Sequence, residues 1–172
     1  MKKSTQKQIT NVLNKINHLT RHIRNVEDNC ILLGTKLIEG GEIELGKQLI
    51  ANGFVHDVSK FSGIEFEFLT TGVPNQEENA KLKLKLAIHH HQSTQPHHVQ
   101  YWINGIINMP DVYLAELVCD LKSRSEEFGT NIRDYIDTEG IELWKITKDD
   151  VVYKKIMRFV NLICNKPFEE IK

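Results

Sequence analysis

The apolar positions of this chain recur mostly at helical spacing. Residues 5–27 carry Ile9, Val12, Leu13, Ile16, Leu19, Ile23 and Val26. That stripe has a 3.6-residue period over more than five turns and predicts a long amphipathic helix. Two further apolar segments follow, Cys30 to Ile38 ending at Gly40-Gly41, and Ile43 to Ile50 ending near Asn52-Gly53. Ser62-Gly63-Ile64-Glu65 has the spacing of a capping box, so a helix is expected from Ser62 to Gly72, with Val73-Pro74-Asn75 as a loop. Residues 77–91 are ambiguous. Lys81 to Leu86 alternates as a strand does, but Leu, Lys, Glu and Ala favour a helix, and helix is the reading adopted. Pro96 is expected to open a short helix with His97 and His98 in its first turn. Residues 111–127 read as a helix with Leu114, Leu117, Val118 and Leu121 on one face. Asp149 is expected to cap a last helix from Val151 to Cys164. The pattern predicts an all-α fold, a single helical domain over residues 1–172.

Composition narrows the function classes. Lys plus Arg is 22 against 23 Asp plus Glu, a net charge of −1. Such a balance argues against a nucleic-acid coat or a polybasic membrane binder. No apolar run approaches the ~20 residues that span a bilayer, and the basic start lacks the apolar stretch of a signal peptide. Cys30, Cys119 and Cys164 are too few for a disulfide framework, so a reduced, cytoplasmic protein is expected. Histidine is the oddity. There are 8 in all, and His89, His90, His91, His97 and His98 fall within ten residues.

These histidines and a few carboxylates are the candidate chemistry. His56-Asp57 offers an imidazole and a carboxylate, donors that suit Zn, Mn, Fe or Ni. Adjacent helical residues point about 100° apart, so both reach one ion only near a helix end or in a crevice. On the first helix the stripe centres near Leu13, Ile16 and Ile23. His22 falls on its flank, about 40° from Val26 and about 60° from Leu19, whereas His18 falls in the polar face. His22 is thus a boundary histidine or a ligand. Asp120 borders the apolar face of its helix and needs a partner, either Arg124 four residues on or a metal. His91 lies on the Ala80, Leu84, Ala87 face, and a short loop returns the chain to His97 and His98, so these rings can converge on an ion or form a polar His-rich loop. Lys60, three residues past Asp57, faces the same crevice, where an ammonium can hold a phosphate oxygen or remain solvated. Tyr101 and Trp102 read as core aromatics or as a stacking surface for a base.

The order His22, His56-Asp57, Asp120 resembles the HD-domain superfamily of metal-dependent phosphohydrolases, all-helical domains named for the His-Asp pair. His56-Asp57-Val58-Ser59-Lys60 looks like the His-Asp-x-x-Lys form of that motif. A closer likeness is to short phage and bacterial HD-like proteins of unassigned function. It rests on Arg21-His22-Ile23-x-x-Val26, on His56 to Phe61 with Glu65, on His91 with Pro96-His97-His98-x-Gln100-Tyr101-Trp102, and on Met109-Pro110 with Tyr113, Glu116 and Asp120. These blocks span residues 20–125, about 60% of the chain.

The resemblance implies that His22, His56, Asp57 and Asp120 bind a first divalent ion (Mn, Fe, Co, Ni or Zn), and that His91, His97 and His98 bind a second. It implies hydrolysis of a nucleotide or similar small phosphate ester by metal-activated water. Asp57, Lys60 and Arg124 would then be catalytic, with Lys60 and Arg124 neutralising phosphate charge. Two alternatives remain: an HD-type nuclease on single-stranded nucleic acid, which the charge of −1 disfavours, and a non-catalytic module stabilised by its metal.

Overall fold

The computed structural model describes residues 3–72 and 79–164. Every regular element among them is helical, so the fold is all-α. Helix α1 runs from Lys3 to Glu39 and α2 from Ile43 to Val55. A 3₁₀ turn, Val58–Phe61, and a π-helical segment, Glu65–Thr70, lead to α3, Ala80–Thr94. Two more 3₁₀ turns, Val99–Tyr101 and Gly105–Asn108, precede α4, Asp111–Phe128. Then come α5 (Ile132–Tyr135), a π turn (Ile136–Gly140), α6 (Ile141–Trp144) and α7 (Val151–Cys164).

The two apolar segments 5–27 and 30–38 belong to one helix. Its buried stripe includes Leu19, His22, Val26, Cys30, Leu33 and Leu37, spaced three or four apart. Leu13 and Ile9, in contrast, are 53% and 42% exposed. The first turns of α1 extend past the core, so the buried stripe centres further along than the sequence suggests. His22 lies on it, one turn past its start at Leu19. Apolar residues of α1, α2, α4 and α7 share one core with Ile106, Ile132, Ile136 and Trp144. α4 is the central helix, buried nearly all round from Leu114 to Cys119.

The antiparallel pair α1 and α2 positions the site. It packs so closely that a Cβ on Gly46 would collide with the backbone oxygen of Gly34 and one on Gly53 would meet Cys30 Cβ at 2.7 Å. Hydrogen at these positions lets the backbones touch. The same register brings the end of α2, and so His56-Asp57, back beside the turn of α1 that carries His22.

Four local expectations change. Ser62 does precede a helical turn, with Phe66 N–H donating to its carbonyl, but Glu65 turns inward and is buried instead of closing a capping box. Pro96 to His98 form a turn, and the short helix begins at Val99. The residue preceding α7 is Asp150, whose carboxylate accepts from Thr147 N–H and Oγ1–H, so Asp149 is not the cap. α3 starts at Ala80 and runs on to Thr94, past the expected end at 91. The loop expected at Val73-Pro74-Asn75 lies outside the described residues.

Candidate metal centre

Seven side chains from distant parts of the sequence meet around Asp57: His22 of α1, His56 at the end of α2, His91 of α3, His97 and His98 of the following turn, and Asp120 and Glu116 of α4. Asp57 itself has left-handed backbone, φ 57° and ψ 11°. Aspartate tolerates this region better than most residues, but the conformation is still uphill and is characteristic of functional sites. It breaks the chain direction between α2 and the 3₁₀ turn, and the carboxylate ends up buried.

The two oxygens of Asp57 face different neighbours. Oδ2 lies 3.9 Å from His22 Nε2 and 3.6 Å from His56 Nε2. Oδ1 lies 3.1 Å from His91 Nε2 and 3.5 Å from His97 Nε2. Asp120 Oδ1 completes the first side, 3.1 Å from His22 Nε2 and 4.0 Å from His56 Nε2. His98 completes the second. Within the sets His22, His56, Asp120 and Asp57, His91, His97, His98, the potential ligand atoms lie within 4.8 Å of one another.

An outer ring of carboxylates fixes the imidazoles. His22 Nδ1 is 2.9 Å from Glu127 Oε1, His56 Nδ1 is 3.0 Å from Glu116 Oε1, and His91 Nδ1 is 2.8 Å from Glu65 Oε2. Glu116 Oε1 also lies 3.3 Å from His97 Nδ1. Ionised carboxylates only accept, so each facing Nδ1 carries the proton. In a neutral ring the Nε2 lone pair then points inward. Asn52 and Ser59 donate to Glu116 and Glu65, holding the ring of acids in place.

The inner atoms are left without partners. His22, His56, His91, His97 and His98 Nε2, together with Asp57 Oδ1 and Asp120 Oδ1, are buried and make no aligned hydrogen bond. Every such atom among the described residues belongs to this cluster. Acceptors facing acceptors in a dry interior repel and lose their hydration. Charge points the same way. Asp57, Glu65, Glu116, Asp120 and Glu127 are buried or nearly so, and the nearby fixed cations are Lys60 on Asp57 and Arg124 on Glu127. Three carboxylate charges remain, to be offset by protons on histidine or by a bound cation. Histidine and carboxylate donors suit divalent transition metals, and Nδ1–H held by carboxylate is the support such ligands use.

The protonation pattern without an ion reflects the same crowding. Burial favours the neutral form of Asp57, but His91, His97, His56 and Lys60 hold its carboxyl well below the usual range. Burial also works against ionised Asp120, yet His22 and His56 keep it low. Glu116 is held down to about 2 against its burial by His56 and His97. Burial lowers His97, but Asp57 and Glu116 outweigh it and raise the ring to about 9. His98 falls to about 3, through burial and then the neighbouring His97 and His91 rings.

Of the residues singled out in the sequence, His22, His56, Asp57, His91, His97, His98 and Asp120 come together, with Lys60 paired to Asp57. Arg124 does not pair with Asp120. Its Nη1 donates to Glu127 Oε2 at 3.2 Å. His89 is exposed, and His90 bonds the outer oxygen of Glu65 at 2.8 Å. Trp102 is a core aromatic whose indole N–H donates to Pro96 O, and neither it nor Tyr101 lines the pocket beside the cluster. Glu127, which no motif marked, supports His22. Its only sequence signal is its place seven residues after Asp120, on the same face of α4.

A pocket of about 380 Å³ opens beside the cluster, where His22, Lys60 and Arg124 line it. The molecule is therefore an all-α protein with a buried histidine–carboxylate cluster that could hold a metal ion. The chain belongs to the family described as "Family of unknown function (DUF5662)", matched over residues 11–166. None of the curated proteins and none of the solved structures matches it.

Proposed function

We propose that the chain is a metal-dependent phosphohydrolase acting on a nucleotide or similar small phosphate ester. The observation that carries this reading is the division of buried, unpartnered donors into two sets that share Asp57, beside a pocket lined by cations. His22, His56, Asp120 and Asp57 Oδ2 would hold one divalent ion (Mn, Fe, Co, Ni or Zn). Asp57 Oδ1, His91, His97 and His98 would hold a second. Such an ion polarises a phosphoryl oxygen and lowers the pKa of a water from 15.7 towards ~7.

The chain's own groups do the rest. Glu127, Glu116 and Glu65 keep the Nδ1–H tautomers that aim Nε2 inward. Lys60 and Arg124 line the pocket and offset the charge that builds on the phosphoryl oxygens. Hydrolysis forms a bond from water oxygen to phosphorus and breaks the bond from phosphorus to the ester oxygen. That oxygen leaves with the electron pair and takes up a proton. The HD-domain resemblance supports the same chemistry.

The test is phosphate release from a broad panel of nucleotides and sugar phosphates by protein loaded in turn with each of the five metals. Metal-dependent release that chelation abolishes is expected. Absence of release with every metal overturns the reading.

A further inference from the structure

We propose that the substrate carries a second anionic group, separated from the reacting phosphate, and that Lys15 receives it. The inference rests on the phosphohydrolase reading and names a feature of its substrate. The pocket beside the cluster is long relative to one phosphate. Its floor is a single face of α1, on which Lys15, His18, Leu19 and His22 follow at intervals of three, one and three residues. Lys15 and His22 are seven residues apart, which is about 10 Å along the helix and nearly the same direction around it. The pocket therefore runs from the cluster end, at His22 and Lys60, to a second cationic end at Lys15.

The cations of this pocket differ in one respect. Lys60 is paired with Asp57 and Arg124 with Glu127. Lys15 has no carboxylate partner among the described residues. Its Nζ donates to the backbone carbonyl of Thr71, which is neutral, so no opposite charge is paired with the half-buried side chain. Among the described residues no carboxylate lines the pocket, and its apolar lining is Leu19 and Leu69. The shape and charge suit an ester with an anion at each end and a less polar middle, such as a nucleoside or sugar bisphosphate. The volume falls within the ~300–1,000 Å³ of small-molecule sites. His18, exposed at the pocket edge, offers a further N–H to the distal anion.

The experiment is calorimetric binding of adenosine 3′,5′-bisphosphate and of adenosine 5′-monophosphate to the metal-loaded full chain and its variants. The wild type is expected to bind the bisphosphate at least ~10-fold more tightly, from the added charge-assisted contact. Lys15→Met should erase that preference and Lys15→Arg should retain it. Lys15→Gln keeps a donor for Thr71 O without the charge, and it too should lose the preference, which separates charge from loop anchoring. Equal affinities in the wild type, a preference that survives in Lys15→Met and Lys15→Gln, or no binding of either compound overturns the proposal. Phosphate release is measured separately. A binding preference without hydrolysis would overturn the catalytic reading and leave the two-anion pocket standing.

Discussion

The Nε2 atom of His91 stands 3.1 Å from Oδ1 of Asp57, yet no aligned hydrogen bond joins them. The other oxygen of the same carboxylate faces His22 and His56. Asp57 is thus the residue common to both halves of the cluster. Its replacement should affect both, whereas replacing a histidine should affect one.

Metal analysis of variants checks that division. Asp57→Asn should lose at least half of the bound metal and lower phosphate release by more than ~100-fold, as expected for an inner ligand. His98→Ala should lose metal from the second set only. Equal metal content in wild type and Asp57→Asn would contradict the assignment.

Glu116 accepts from both His56 and His97. Glu116→Gln can no longer hold both Nδ1–H groups with a charged acceptor. Supporting carboxylates of this kind change metal affinity or activity by ~10–100-fold. A competitive chelator titration should show a loss in that range, larger than that of Glu127→Gln, which supports His22 alone.

The pH dependence should reverse on metal loading. In metal-free protein His97 is raised from 6.5 to about 9, so its stabilising contribution is complete below pH 6.5 and fades as pH rises through about 9. Glu116 is lowered from 4.5 to about 2, so its contribution is present above pH 4.5 and is lost as pH falls through about 2. Metal binding at His97 must displace its proton, so affinity rises with pH. Melting curves between pH 6.5 and 9 should therefore show falling stability without metal and rising metal protection with it. Parallel slopes in the two forms would contradict this.

The α1–α2 contact is a structural test apart from the metal. A methyl at Gly46 would strike the Gly34 carbonyl oxygen and come within 2.6 Å of Ile38 Cγ1. Backbone cannot yield as a flexible side chain does, so Gly46→Ala should cost about 2 kcal/mol, within the usual range for overpacking. The melting temperature should fall by about 4–8 °C. Because this contact sets His56 against His22, metal affinity should fall with it. Gly41→Ala, where the space is open but φ is +92°, should leave metal binding intact.

The sequence carried the all-α class and the residues of the cluster unequally well. His56-Asp57 and the His91 to His98 group were legible because they are compact in sequence. His22 was harder, since the exposed Ile9 and Leu13 pulled the apparent centre of the stripe away from it. Glu65 matched a capping box by spacing, but three partners within reach, Ser59, His90 and His91, favour its inward rotamer. Glu127 was invisible because its role depends on how α4 crosses α1, which local pattern does not encode. Lys15 carries no mark in the sequence, because its partner, the Thr71 carbonyl, lies 56 residues away.

The most direct measurement is anomalous diffraction at the metal absorption edge from crystals of metal-loaded protein. Density is expected on both sides of the Asp57 carboxylate, one peak among His22, His56 and Asp120 and another among His91, His97 and His98. A map with no anomalous peak between these side chains, from protein shown to be folded and saturated with Mn, Fe, Co, Ni or Zn, would contradict it.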